Sequence, residues 1–321
     1  MHELPVPPKL YLEALQRLGF APPENELYEK LLNFYSSQVL GFYEPEGDTM
    51  VIVRRSHQET AESNEVWLHE FAHAAQEKRF RLPSKLLAVK DNSDLLRAFS
   101  AIAEGEAMLV MVTLASSTPL EPAAILHLAQ AVEAGTKQLA QEAGVGEFFV
   151  QDLAFPYARG LTKVFEAFQK QGWPGVDAIL INPPKCTAAL LFTNPCHHLE
   201  NSVLPANPPG YEPLITDTLG AWAMQFWLSQ TLGEEAATSL SRLWDGDRLR
   251  ILRNQKEPRR WAMVWQLRLR NSEDLPQVET ALRRHTSKAL ARFQLGSQPD
   301  ILVRSQNRMI TVLVDWPAAR P

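Results

Sequence analysis

His69-Glu70-Phe71-Ala72-His73 is the stretch from which the fold and chemistry of this chain are best predicted. An α-helix has 3.6 residues per turn, so side chains four apart share one face and both imidazoles can reach one cation. Glu70 lies beside them, where its carboxylate can take a proton from a water bound to that cation. Paired imidazoles suit Zn²⁺, which lowers the pKa of its bound water from about 16 to about 7. The stretch predicts a zinc site at His69 and His73, with Glu70 as general base.

A five-residue pattern of this kind also arises by chance, so its surroundings have to be considered. Apolar residues lie within the motif and on both sides of it: Val66, Trp67, Leu68, Phe71, Ala72, Ala74 and Ala75. They predict a largely buried helix over about 60–78. Unpaired buried charge is unfavourable, and a metal ion would satisfy both histidines and Glu70 at once. The alternative is a structural helical protein in which the motif is fortuitous.

A catalytic zinc ion needs a third protein ligand and one open coordination position. A second apolar helix, predicted over about 93–115, carries the two carboxylates Glu104 and Glu106. Side chains two residues apart on a helix cannot face the same point, so at most one of them binds the metal. We favour Glu104 as the ligand, with Glu106 as the partner of a ligating imidazole or as a solvent-facing residue. For this pair taken alone, a solvated helix edge is the alternative.

Further blocks of sequence accompany the motif in a fixed order. They are Gln38–Pro45, Ala103–Ala107, Phe155–Gly160, Gly172–Ala178, Asn182–Pro184 and Trp244–Arg248. Together with His69–Gln76, these blocks resemble a poorly characterised group of bacterial and archaeal HExxH zinc metallopeptidase-like proteins of the gluzincin type. In that group two helices supply His, His and Glu. The resemblance covers most of the chain and implies a zincin fold with Glu104 as the third ligand, but it implies no particular substrate.

The expected reaction is hydrolysis of a peptide bond by a zinc-activated water. Glu70 accepts the proton of that water and returns it to the leaving amine. Tyr157 is the candidate donor to the carbonyl oxygen, since related folds use a tyrosine or histidine there; a core tyrosine with a satisfied hydroxyl is the alternative. Tyr43 is a weaker candidate for a residue that lines the cleft. The competing function is a zinc-binding protein on a peptidase scaffold with a non-proteolytic binding or regulatory role.

Composition is compatible with an enzyme that acts on peptides or proteins. The chain has 321 residues, 45% of them hydrophobic, which is enough for one large domain or two smaller ones. The formal charge of −5 argues against a nucleic-acid partner. We see no transmembrane segment and no signal peptide, so a cytoplasmic protein is expected, or an exported one if an N-terminal segment has been removed. The sequence does not indicate an oligomeric state.

Two cysteines, Cys186 and Cys196, lie ten residues apart, and His197-His198 follow directly. The spacing matches no closed zinc module, so no second metal site is expected there. A pair of free thiols is the favoured interpretation, and a loop-closing disulfide is the alternative if the protein is exported. The segment Cys186–Thr193 also departs from the family pattern, because apolar residues replace polar ones.

The predicted fold class is α+β and mostly helical. A hairpin at about 40–53, the HExxH helix and the Glu104 helix are expected to form a zincin-like catalytic core together. Further helices are predicted at about 121–142 and 147–171. A proline-rich stretch, 205–213, is read as an irregular connection, followed by helices at about 217–231 and 234–244. From about residue 247, strand–strand–helix–strand–strand predicts a small antiparallel ββαββ subdomain. The expected domains are residues 1–245 and 246–321.

Overall fold

A computed structural model describes residues 8–53, 60–116, 119–199, 203–291 and 300–317 of the chain. The fold is α+β, 57% helical with a small antiparallel sheet, which confirms the predicted class. Contacts divide the chain into two compact units. We call them the helical unit, Asn25–Val89 with Leu95–Lys185, and the sheet unit, Met1–Glu24 with Lys90–Asp94 and Cys186–Pro321.

The helical unit contains the hairpin and the long helices that the sequence predicts. Its elements are α2 (Leu27–Gln38), β1 (Gly41–Glu44), β2 (Thr49–Ile52), α3 (Thr60–Phe80), α4 (Leu82–Leu87), α5 (Ser93–Ala115), α6 (Pro122–Ala143), α7 (Glu147–Gln171) and α8 (Trp173–Ile181). The first two residues of α5 belong to the sheet unit. Strands β1 and β2 pair antiparallel, from Gly41 opposite Ile52 to Glu44 opposite Thr49. Asp48 in the turn has a positive φ of 45°, a conformation that aspartate tolerates better than most residues.

Two glycines let α5 and α7 cross with their backbones in contact. A Cβ added to Gly105 would lie 2.2 Å from the carbonyl carbon of Gly160. A Cβ added to Gly160 would lie 1.8 Å from the carbonyl oxygen of Ala101. Any side chain at either position would therefore push the helices apart. The crossing brings Glu104, next to Gly105, close to Tyr157, which lies one turn before Gly160.

The sheet unit contains one five-stranded antiparallel sheet with helices. Its strands are β3 (Tyr211–Asp217), β4 (Trp244–Asn254), β5 (Trp261–Leu269), β6 (Ile301–Gln306) and β7 (Met309–Val314), in the order β3-β4-β5-β7-β6. Its helices are α1 (Pro8–Arg17), α9 (Thr187–Phe192), α10 (Gly220–Leu232), α11 (Glu234–Ser241) and α12 (Leu275–Ala291). The predicted strand–strand–helix–strand–strand order is present. Its helix, predicted at about 273–294, is α12, and residues 292–294 lie outside the described residues.

Strand β3 was not predicted, because its proline was taken as part of an irregular connection. Proline cannot donate a ladder hydrogen bond and is tolerated in edge strands and at bulges. Pro213 meets both conditions, since β3 lies at the edge of the sheet and its register with β4 shifts between Pro213 and Ile215. The domain boundary expected between residues 245 and 246 falls inside β4, within one unit. The division of the chain into domains at that point stays a prediction.

Residues of the Trp244–Arg248 block hold the sheet unit together. The fully buried carboxylate of Asp247 accepts hydrogen bonds from the backbone N–H groups of Leu219 and Gly220, at 3.0 and 2.9 Å. It also accepts the indole N–H groups of Trp244 and Trp265, at 2.9 and 3.0 Å. The carboxylate thus satisfies two backbone donors at the start of α10, which otherwise have no intrahelical partner. This block has a structural role within the described residues.

The prediction of free thiols is wrong: Cys186 and Cys196 form a disulfide. Helix α9 is short, and Thr193 after it takes a left-handed conformation that turns the chain back. The two Cα atoms therefore lie 5.6 Å apart, a separation that a disulfide spans. The next residue, His197, donates from Nδ1 to Asp245 Oδ1 at 2.6 Å. The loop-closing alternative is the correct interpretation.

Helix α5 is long and apolar enough to cross a membrane by length and composition alone. In its most apolar 18-residue window, 39% of the residues are buried. The core helix of a soluble protein meets the same criteria. The expected absence of a transmembrane segment stays a prediction.

Candidate metal centre

Three ligand atoms from two helices of the helical unit point to one place. His69 and His73 lie one turn apart on α3, and their Nε2 atoms are 3.2 Å apart. The Oε2 atom of Glu104, on α5, lies 3.0 Å from Nε2 of His69 and 3.5 Å from Nε2 of His73. The two imidazole planes are nearly perpendicular, at 83°. The three predicted ligands therefore converge.

The donor set fits a zinc ion. Ligand atoms arranged tetrahedrally at about 2.0–2.1 Å from zinc stand about 3.3 Å from one another. The three separations of 3.0, 3.2 and 3.5 Å bracket that value. Among the described residues, this is the group of histidine, cysteine, aspartate or glutamate side chains whose geometry suits a metal ion. Two imidazole nitrogens and one carboxylate oxygen are also the mixed donor set that catalytic zinc sites use.

The charges of the site favour a cation at the point where the ligands meet. Burial alone would raise the pKa of Glu104, but the charge of His73 and hydrogen bonds from both imidazoles hold that pKa well below its usual range. Burial alone would lower the pKa of His73, but the charge of Glu104 and the hydrogen bond to it raise that pKa to about 9. The same negative field that retains a proton on His73 would attract a metal ion.

Gln76 fixes the orientation of the His73 ring, a role that was not predicted. The side chain is 1% exposed, and its Oε1 lies 3.1 Å from Nδ1 of His73. Its Nε2 donates to the backbone oxygen of Ala103 at 2.8 Å and to Oε2 of Glu106 at 2.6 Å. With the amide nitrogen used in this way, the amide oxygen must accept the Nδ1 proton of His73. Because Nδ1 keeps its proton in this way, a metal ion that displaced the proton of Nε2 would meet the lone pair of that nitrogen.

Glu106 is therefore linked to the metal centre through Gln76, and its carboxylate is not one of the three converging ligand atoms. Burial raises its pKa, against the opposing hydrogen bond from Gln76. Glu106 was expected either to bind an imidazole directly or to face solvent, and the structure shows it in neither position. Glu106 supports the amide that supports the imidazole. A glutamine one turn after the second histidine of the motif is the sequence signal that could have indicated it.

Glu70 lies next to the ligands and is buried, with 5% of its surface exposed. Burial raises the pKa of its carboxyl group, while the charges of His73 and His69 lower it. The backbone N–H of Tyr43, in β1, has a smaller lowering effect on the pKa of this carboxyl group. A buried carboxylate with a raised pKa is a stronger base than a solvated one, which suits a general base.

Tyr157 also lies at the centre. Its ring centroid is 6.1 Å from that of His69, and its side chain lines the same cleft as Glu70. The charge of Glu104 and burial raise the pKa of the phenol well above its usual value, so the proton stays on the hydroxyl. Tyr43 has a different place, because its hydroxyl donates to Asp48 Oδ1 at 2.9 Å. Its side chain is not among the described residues that line the cleft.

A cleft of about 870 Å³ opens at the metal centre. His69, Glu70 and Tyr157 line it, together with Val39 and residues 40–41 of the hairpin region. Its volume lies within the range of sites that bind small molecules or segments of larger ones. The arrangement combines three metal-ligand atoms, a buried base and a phenolic donor beside one cavity, which is the set of groups that hydrolysis of an acyl compound requires. Comparison with protein-family models, with curated proteins and with solved structures finds no match to this chain.

Proposed function

We propose that this chain is a zinc-dependent metallopeptidase of the gluzincin type, with a zincin-like core formed by the β1–β2 hairpin, α3 and α5. One observation carries the proposal: Nε2 of His69, Nε2 of His73 and Oε2 of Glu104 converge beside the buried carboxylate of Glu70. The order of sequence blocks that resembles the HExxH group supports the same conclusion. His69, His73 and Glu104 would hold the ion.

A bound zinc ion would supply Lewis acidity and would make water acidic enough to be deprotonated near neutral pH. Glu70 then has the role of general base. Its carboxylate takes a proton from the attacking water and passes it to the amine nitrogen that leaves. Burial raises the pKa of the Glu70 carboxyl group and so prepares it for this role.

Tyr157 donates a hydrogen bond from its phenolic hydroxyl to the oxygen of the substrate carbonyl group as negative charge develops there, and it keeps its proton. Its ring lies beside that of His69, with the centroids 6.1 Å apart, and it lines the same cleft as Glu70. Its raised pKa keeps the phenol protonated at neutral pH, as a donor must be.

Strand β1 offers an edge to which an extended substrate can pair. Among the described residues, β1 pairs with β2 and with no other strand. Leu40 and Gly41, at the start of β1, line the cleft next to Glu70. Main-chain hydrogen bonds to such an edge bind a peptide whatever its side chains are. The proposed substrate is therefore a peptide or an unfolded segment of a protein.

The disulfide bears on the compartment in which the protein works. Disulfides persist in oxidising compartments and are rare in the cytosol. The Cys186–Cys196 bond therefore favours an exported protein over the cytoplasmic one that the sequence led us to expect.

The test of the proposed function compares the wild type with Glu70→Gln and Glu104→Ala, in zinc content and in digestion of a peptide library. We expect the wild type to carry one zinc ion and to cleave peptides. Glu70→Gln should keep the zinc and lose about 10²–10⁴-fold in rate, because the base is gone and the ligands remain. Glu104→Ala should lose both zinc and cleavage. If the wild type binds zinc but shows no peptide cleavage, or cleavage that Glu70→Gln does not reduce, the non-proteolytic role would be favoured instead.

Tyr157→Phe tests the phenolic donor. We expect kcat to fall by about 10²–10³-fold, as it does when one donor to a developing oxyanion is removed. Zinc content should be unchanged, because the tyrosine is not among the three ligands. The measurement is steady-state kinetics on the best peptide from the library. An unchanged kcat would show that Tyr157 is structural.

A further inference from the structure

Much of the wall of the cleft is apolar and comes from three helices. Helix α5 contributes two methionines, α6 a valine and a leucine, and α7 a valine and a leucine: Met108, Met111, Val132, Leu139, Val150 and Leu153. Methionine side chains are flexible and polarisable, and they adapt to apolar groups of different shapes. This wall is suited to an apolar side chain.

The wall is continuous with the reacting groups. The same cleft is also lined by His69, Glu70 and Tyr157. A peptide with its scissile bond at Glu70 would place a side chain next to that bond against the apolar wall. The pocket and the proposed catalytic groups therefore act on the same ligand.

The charged residues that line the cleft also affect which substrate side chains it accepts. The described residues that line it include two glutamates, Glu65 and Glu70, and neither lysine nor arginine. Apart from the proposed zinc ion, an acidic substrate side chain would lose its hydration there without meeting an opposite charge, and the carboxylate of Glu65 would repel it. The cleft therefore disfavours aspartate and glutamate next to the scissile bond.

Gly135 leaves room in this wall. It lies in the middle of α6, on the face that lines the cleft, and no atom comes within 4 Å of where its Cβ would be. A glycine inside a helix is less favourable than alanine unless a close contact or a positive φ requires it. Gly135 has neither a close contact nor a positive φ. The missing side chain enlarges the cleft.

We propose that this cleft selects peptides with a bulky apolar side chain, such as leucine or phenylalanine, next to the scissile bond, and that Gly135 is the residue that determines the size accepted. The proposal rests on the metallopeptidase function given above. It adds the substrate class and a specificity-determining residue.

The test measures binding and cleavage separately. Blocked hexapeptides that differ only in one residue beside the scissile bond (alanine, leucine, phenylalanine or glutamate) are titrated against the Glu70→Gln protein. We expect leucine and phenylalanine peptides to bind at least about tenfold more tightly than the alanine peptide, and the glutamate peptide to bind most weakly. Adding Gly135→Leu should reduce the leucine-to-alanine ratio to about threefold or less, because the new side chain fills the pocket.

Ala134→Leu is the matched control. Ala134 is exposed, adjoins Gly135 on α6 and is not among the residues that line the cleft. The same added bulk should therefore leave the ratio unchanged. Equal binding of all four peptides, or a ratio that Gly135→Leu does not alter, would overturn the proposal. If selective binding is found but the wild type cleaves none of the peptides, the pocket stands and the peptidase function fails.

Discussion

The two histidines of the motif are supported differently. His73 has its Nδ1 against the amide oxygen of Gln76, and that amide is itself bound to Ala103 and Glu106. Each polar atom of the buried Gln76 side chain thus has a partner, so the amide cannot rotate without losing hydrogen bonds. A fixed amide gives a fixed imidazole tautomer, which is what a metal ligand requires.

Gln76→Leu should weaken metal binding without removing a ligand. Leucine has a similar volume but cannot accept the Nδ1 proton of His73, and it leaves the buried carboxyl of Glu106 without its donor. We expect zinc affinity to fall about 10–100-fold, measured by competition with a chromogenic chelator. The control is Gln130→Leu, which changes an exposed glutamine on α6. Equal affinities for the Gln76 and Gln130 variants would contradict the positioning role.

At this scale the sequence predicts what depends on local periodicity. The spacing of His69 and His73 places both rings on one face of any helix, so their pairing needed no tertiary information. Sequence spacing alone cannot decide whether Glu104 or Glu106 is the third ligand, because both carboxylates lie on the same helix at similar distances from the motif. The decision requires knowing which face of α5 is turned toward α3. Gln76 was missed because a glutamine on a helix is usually solvated, so its position one turn after His73 indicates a role only once its burial is known.

Among the elements, the long helices, the hairpin and the ββαββ order agree with the prediction, whereas the short helices α4, α8 and α9 and strand β3 were not predicted. Helices α4 and α9 have six residues each, too few to show a helical period. Helix α8, with proline in its first turn, was not predicted either, although proline at that position is compatible with a helix. Strand β3 was missed because Pro213 indicated an irregular connection. Its missing N–H has no cost at the edge of the sheet.

The crossing of α5 and α7 is the element-scale feature most sensitive to a small change. Alanine raises helix propensity over glycine, but at Gly160 its Cβ would collide with the backbone oxygen of Ala101. Backbone cannot move aside as a flexible side chain can, so the clash outweighs the propensity. Gly160→Ala should lower the free energy of unfolding by about 1–3 kcal/mol.

Gly135→Ala is the matched control for that variant, measured by urea denaturation in the same buffer. Its added Cβ meets nothing, so the propensity gain should remain and should raise the free energy of unfolding by about 0.5–1 kcal/mol. Opposite signs for two glycine-to-alanine changes in neighbouring helices would distinguish packing from propensity. A stabilised Gly160→Ala protein would show that the two backbones are not in contact.

For the whole molecule, the sequence predicted the α+β class correctly, but it indicated free thiols where Cys186 and Cys196 form a disulfide. Spacing alone could not decide between thiols and a disulfide, because pairing depends on the turn that Thr193 makes after α9. Hydrogen bonds within the sheet unit also hold the segment around the Cys186–Cys196 disulfide in place. His197 donates to Asp245, and Arg270 donates to the backbone oxygen of Pro195 at 3.2 Å.

Removing the disulfide should therefore destabilise the protein without abolishing these hydrogen bonds. Closing a loop of ten to fifteen residues stabilises a fold by about 3 kcal/mol, mainly by restricting the unfolded chain. Cys186→Ala with Cys196→Ala should lower the free energy of unfolding by about that amount under oxidising conditions. In excess reductant the wild type should lose nearly as much, and the double variant should not change. Wild-type protein with the same urea midpoint in oxidant and in reductant would mean that the cysteines are not paired in solution, and the argument for an oxidising compartment would fail with it.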